Sequence, residues 1–139
     1  MTRLRTTYDS VANAAYVYFT PATAPRSVCR SAVVDLAFDQ AALIADIDSA
    51  GRILGLELLG VSRLLPASSL RVDSLASAVI DVDTRRDVAR LALGDAANPS
   101  PASIRDVALI DESLQLRVGL DADGRLVTIS FPTASRLLP

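Results

Sequence analysis

The chain has 139 residues, enough for one ordinary domain or two very small ones in contact. Half of them are apolar and Trp is absent, so the core must be built from Leu, Val, Ile and Ala. A formal charge of -2 with interspersed acids and bases excludes nucleic-acid binding through clustered Lys and Arg. The complete lack of His removes the commonest general base, the commonest metal ligand and every Ser-His or Cys-His nucleophile system.

The N-terminal segment Met1-Thr2-Arg3-Leu4-Arg5 has no apolar run of the signal-peptide kind, and no stretch approaches the ~20 residues needed to cross a bilayer. A soluble cytoplasmic protein without membrane contact is the expectation. Leu4–Tyr8 and Ala14–Phe19 then read as a hairpin turned through Asp9–Asn13. Pro21 and Pro25 follow, and Pro has no donor for a ladder, so this loop lies outside the sheet. Ala32–Ile47 is long enough for one bent strand or two short ones. Asp48-Ser49-Ala50-Gly51 is a turn in which the Asp side chain bonds backbone amides and Gly accepts a positive φ, giving a bulged hairpin into Leu54, Leu56 and Leu58. Ser62 can cap a short helix, but Pro66 stops it. The Ala- and Leu-rich stretch Asp73–Ile80 is ambiguous between helix and strand.

The same order then recurs. Ser62-Arg63-Leu64-Leu65-Pro66 reappears as Ser135-Arg136-Leu137-Leu138-Pro139, and the offset of 73 residues also carries Asp48, Gly51 and Arg52 onto Asp121, Gly124 and Arg125. Nearer the start the offset is 74, so that Leu4–Tyr8 falls on Ala78–Val82 and Ala14–Phe19 on Val88–Leu93. Pro99 and Pro101 take the place of the first proline loop, Ile104–Leu120 that of Ala32–Ile47. The chain thus divides into a first β-meander repeat over 1–66, a joint over 67–74 and a second, diverged repeat over 75–139, together one compact domain. A four-stranded sheet cannot cover its own apolar face. The expectation is therefore a mainly β protein in which two related antiparallel β-meander units pack as a sandwich or barrel about a pseudo-twofold axis, with at most short helices.

Tyr8-Asp9, then Asn13-Ala14-Ala15-Tyr16-Val17-Tyr18-Phe19, and later Gly51-Arg52-Ile53-Leu54-Gly55-Leu56-Glu57-Leu58-Leu59 before Ser62, resemble domain-of-unknown-function family 2283. Its members open with Tyr-Asp, a nearby acid and an Ala-Leu-Tyr-Ile-like strand. They close with an Asp-x-x-Gly turn, a Gly-Ile-Glu-Ile-like strand and a Ser. The resemblance covers nearly all of the first unit; in the second, Val82, Thr128 and Ser130 stand where the Tyr, Gly and Glu are expected. It implies a small β-rich fold, often as a one-unit chain, and implies no activity. A one-unit relative is expected to dimerise, which would make this chain a fused dimer.

The remaining polar patterns are modest. Asp46 with Asp48, and Asp121 with Asp123, lie two apart at hairpin tips, where turn chemistry explains them and no EF-hand pattern accompanies them. Cys29 is single, which excludes an intrachain disulfide, and it lacks a His to activate it. Arg3 with Arg5, and Arg85 with Arg86, read as solvated surface. No catalytic constellation, metal set, phosphate loop or cofactor motif is present. Tyr16, Tyr18, Ile44 and Ile53 are placed together on the outer face of the first unit, against Arg90, Gln115, Arg117 and Thr128 on the second. This asymmetry marks a candidate interaction surface. Arg52, Glu57 and Arg125 form the candidate polar site. The expected function is a non-catalytic protein-interaction or structural module, meeting a second copy or an unknown protein partner. The alternatives are a small-ligand binder with its site between the repeats, or an enzyme that works without His through carboxylate, Arg or Tyr.

Overall fold

The computed structural model describes residues 2–21, 26–71, 75, 77–94 and 101–139. Pro25, Pro99, Asp73 and Ser74 lie outside the described residues. The period-two alternation becomes β1 (Thr2–Arg3), β2 (Arg5–Asp9), β3 (Ala14–Tyr18), β4 (Arg30–Val34), β5 (Ala42–Ile47) and β6 (Ile53–Leu59), closed by the one-turn helix α1 (Val61–Leu64). A second series follows: β7 (Ala78–Asp83), β8 (Val88–Leu93), β9 (Ser103–Ala108), β10 (Gln115–Leu120), β11 (Leu126–Pro132) and α2 (Ala134–Leu137). Ala32–Ile47 is resolved as two short strands. The described part of Asp73–Ile80 ends in strand β7 rather than in a helix.

Among the described residues the protein is mainly β, with two antiparallel sheets that do not close into a barrel. One sheet has the order β2-β3-β6-β5-β4, the other β1-β7-β8-β11-β10-β9. This differs from a plain meander. The last strand of each series returns to the middle, so the connections from β3 to β4 and from β8 to β9 cross to the far edge. The reason lies in composition. β6 (ILGLELL) and β11 (LVTISFP) bury most of their residues, and such strands gain most from a neighbour on each side.

The turns form as their residues dictate. Asp48 Oδ1 accepts from the amides of Ala50 and Arg52, each at 2.9 Å, and Asp121 Oδ1 does the same for Asp123 and Arg125. Gly51 and Gly124 hold φ of 82° and 77°, conformations costly for a residue with a Cβ. A bulge follows in each hairpin, between Asp46 and Ile47 and between Gly119 and Leu120.

Ser62 does not cap α1; it lies within it. The residue before the helix is Gly60, at φ 67°. Asn13, in the first hairpin turn, does the capping. Its carbonyl accepts from Val61 N at 3.1 Å, its Oδ1 from Ser62 N at 2.9 Å, and its Nδ2 donates to Ser62 Oγ at 2.9 Å. Asp87 repeats this with Ala134 N, Ser135 N and Ser135 Oγ at 2.9, 2.8 and 2.7 Å. These hydrogen bonds hold the Asp87 carboxyl below its ordinary range.

The inner faces of both sheets share one apolar cluster. At its centre Phe131 is fully buried and meets Phe19 edge-to-face at 5.4 Å between centroids. The sheets are also laced together. β1 leaves the first series to pair with β7, with Leu4 N bonded to the Ala78 carbonyl at 2.8 Å. Elsewhere Val34 bridges Leu109, with Ile110 N bonded to Val33 O and Asp35 N to Ala108 O, each at 2.8 Å.

Candidate functional site

The register of the first sheet fixes what its outer face presents. One row runs Thr7, Tyr16, Glu57, Ile44, Val33 across five strands. Ile110 extends it from the other sheet, through the bond from its amide to Val33 O. The next row runs Arg5, Tyr18, Gly55, Asp46, Ser31. Side chains two apart on a strand share a face, so these two rows form one surface.

Gly55 is the key to the second row. A Cβ there would run into the Tyr16 ring, so only glycine lets the phenol lie over the sheet. Tyr16 Oη then donates to Asp46 Oδ2 at 2.7 Å, and Ser31 Oγ donates to Asp46 Oδ1 at 2.6 Å. Arg26 donates to the Tyr16 oxygen and sits 3.7 Å from the Asp46 carboxylate. Its guanidinium carbon lies 4.9 and 5.0 Å from the Tyr16 and Tyr18 centroids, while Arg5 covers Tyr18 at 3.7 Å. Such cation–aromatic contacts contribute about 0.5–1 kcal/mol each where exposed.

Both Asp46 oxygens are engaged, and Tyr16 is held as the neutral phenol. Burial raises its pKa most, followed by the hydrogen bond to Asp46 and that residue's charge; Arg26 opposes these. The group is therefore braced rather than poised: it offers neither a free base nor an activated nucleophile. Because the folded-state value is raised, the stability Tyr16 contributes is complete below its ordinary pKa of 10.0 and is lost as the pH rises above it. We expect the denaturant midpoint to fall more steeply with alkaline pH in the wild type than in Tyr16→Phe. Equal slopes would refute the assignment.

Tyr16, Tyr18 and Ile44 thus lie where the sequence places them. Ile53 does not. The bulge after Asp46 breaks the alternation and sets Ile53 opposite Ile47, both fully buried in the core. Arg52, Glu57 and Arg125 are not brought together either. Glu57 stands half-buried between Tyr16 and Ile44 on the outer face. Arg125 donates to the Ser62 and Leu65 carbonyl oxygens around α1. Arg52 lines a cleft at α2. Sequence reasoning missed Arg26, Ser31, Val33, Ile110 and the role of Asp46. A glycine opposite an outward tyrosine was the available signal. Among the described residues no cluster of three metal-ligating side chains occurs.

Residues 5–62 match the model of a family described as Protein of unknown function (DUF2283). The matched span runs from β2 to α1 and contains the Tyr16–Asp46–Ser31 group. No curated protein matches the chain, and neither does any solved structure.

Proposed function

We propose that this chain is a non-catalytic protein-interaction module made of two copies of one unit. The diverged second copy completes the core, and the outer face of the first takes a protein partner, namely a second copy of the chain. The observation that carries this reading is an internal comparison. The positions of Val33 and Ile44 correspond, 73 residues on, to Asp106 and Arg117. Those two form an exposed ion pair at 2.9 Å on the outer face of the other sheet. The same site in the same fold is thus served by charges where it faces water. Apolar residues at Val33 and Ile44 are not a requirement of the architecture, and they leave Val33 42 % and Ile110 49 % exposed. A solvated sheet face bearing this strip beside braced tyrosines suits a flat protein surface. A ligand between the sheets is less favoured, because the space there is filled by the shared apolar cluster.

The comparison supplies its own test. Val33→Asp with Ile44→Arg transplants the second unit's pair onto the first. Light scattering on the full chain is expected to give a dimer for the wild type and a folded monomer for the double variant. A monomeric wild type at high micromolar concentration would reject self-association.

A further inference from the structure

The pseudo-equivalent surroundings of α1 and α2 differ in one respect that points to a ligand. In the first unit Tyr8 packs against the core, Val61 and Leu65 are fully buried, and Arg125 donates to the Ser62 and Leu65 carbonyl oxygens. Around α2 the corresponding residues are Val82, Ala134, Leu138 and Arg52. Tyr has become Val and Val has become Ala, and a cleft of about 390 Å³ stands there. Its lining includes Arg52, Val82, Ala134 and Leu138. Val82 is 51 % exposed, and Leu138 is half-buried where Leu65 is enclosed. Arg52 has no side-chain partner among the described residues.

The first unit carries the larger Tyr8 where the second has Val82, and its arginine is committed to acceptor oxygens, so the α2 cleft alone joins an aliphatic floor to an uncommitted guanidinium. We propose that the α2 cleft binds a small aromatic carboxylate, its ring on Val82, Ala134 and Leu138 and its carboxylate on Arg52. Asp87 also lines the cleft, but Ser135 occupies both its oxygens. Its charge repels an anion, so the ligand's acid group is directed to the Arg52 side. A planar carboxylate matches the guanidinium fork.

Sodium benzoate is the probe, titrated into the full-length labelled chain and followed by amide NMR. Saturable shifts are expected at Arg52, Val82 and Ser135, with a dissociation constant on the order of 1 mM. Val82→Tyr, which restores the first unit's ring, should abolish them. Arg52→Gln, an exposed change that leaves the core untouched, should weaken binding roughly tenfold, and uncharged benzamide should bind wild type about as weakly as benzoate binds that variant. Absence of saturable shifts at these amides, wild-type affinity in Arg52→Gln, or equal affinity for benzamide would each overturn the proposal. Should Val82→Tyr fail to fold, the Arg52→Gln and benzamide comparisons decide it alone.

Discussion

Phe131→Ala is expected to remove about 3–5 kcal/mol of folding stability, the range for deleting a fully buried aromatic side chain. The loss has two parts. The ring is entirely withdrawn from water, so its transfer free energy is forfeited. It also meets Phe19 edge-to-face across the sandwich, and the walls of the resulting cavity belong to paired strands that cannot collapse inward. With a total stability of roughly 5–15 kcal/mol for a domain of this kind, the variant should be marginal. Urea unfolding followed by circular dichroism reads this directly. Val33→Ala, on the outer face, serves as the comparison and should stay within about 0.5 kcal/mol of wild type. A Phe131→Ala loss under ~1 kcal/mol would mean that the two sheets are not packed on this ring.

The second large effect concerns the residue before each one-turn helix. Gly60 and Thr133 occupy equivalent places, with φ of 67° and 52°. A side chain in this region costs about 1–2 kcal/mol. At Gly60 a Cβ would in addition strike the Gln40 carbonyl oxygen and crowd Ala41, which are backbone neighbours that cannot swing aside. Gly60→Thr is therefore expected to lose about 3 kcal/mol or more. Thr133→Gly relieves the left-handed strain but loosens the unfolded chain, and the two terms offset to within about 1 kcal/mol. Denaturant midpoints of the two variants should differ accordingly. A Gly60→Thr loss of no more than about 1–2 kcal/mol would show that left-handed strain alone, and not the approach of Gln40, governs this corner.

The β architecture was legible in the sequence because it rests on local signals. Alternation along Leu114–Leu120 and the Asp-x-x-Gly turns give strands and hairpins, and the recurrence of Ser-Arg-Leu-Leu-Pro gives the series of elements. Strand order was not legible. Nothing local tells β6 to pair with β3 rather than stop beside β5 alone; that choice follows from burying its apolar residues between two neighbours. Ile53 was misplaced for a related reason. A strict period of two is right for Tyr16, Tyr18 and Ile44, but one bulge residue reverses the faces beyond it. The hydrogen-bonded group around Asp46 needs Arg26, Ser31 and Tyr16 from separate segments, and long-range polar convergence leaves no periodic trace. Arg52 and Arg125 looked alike in sequence and stand in equivalent turns. What distinguishes them is that Arg125 donates to the Ser62 and Leu65 carbonyl oxygens while Arg52 lines the α2 cleft, which is visible only once the two helices and their surroundings can be compared.

The two-residue strand β1 bears on how this molecule behaves in a crowded solution. Its sheet would otherwise end at β7, with a longer run of unpaired amides and carbonyls open to any extended chain. β1 occupies the start of that run and stops after Arg3, where the chain turns away towards the other sheet. What it leaves uncovered on β7 carries Asp81 and Asp83. A short, cationic stub followed by an acidic strand end is a poor template for strand addition by neighbouring chains. Unpairing β1 would lengthen the open edge of β7, a change expected to be read in solubility sooner than in the fold.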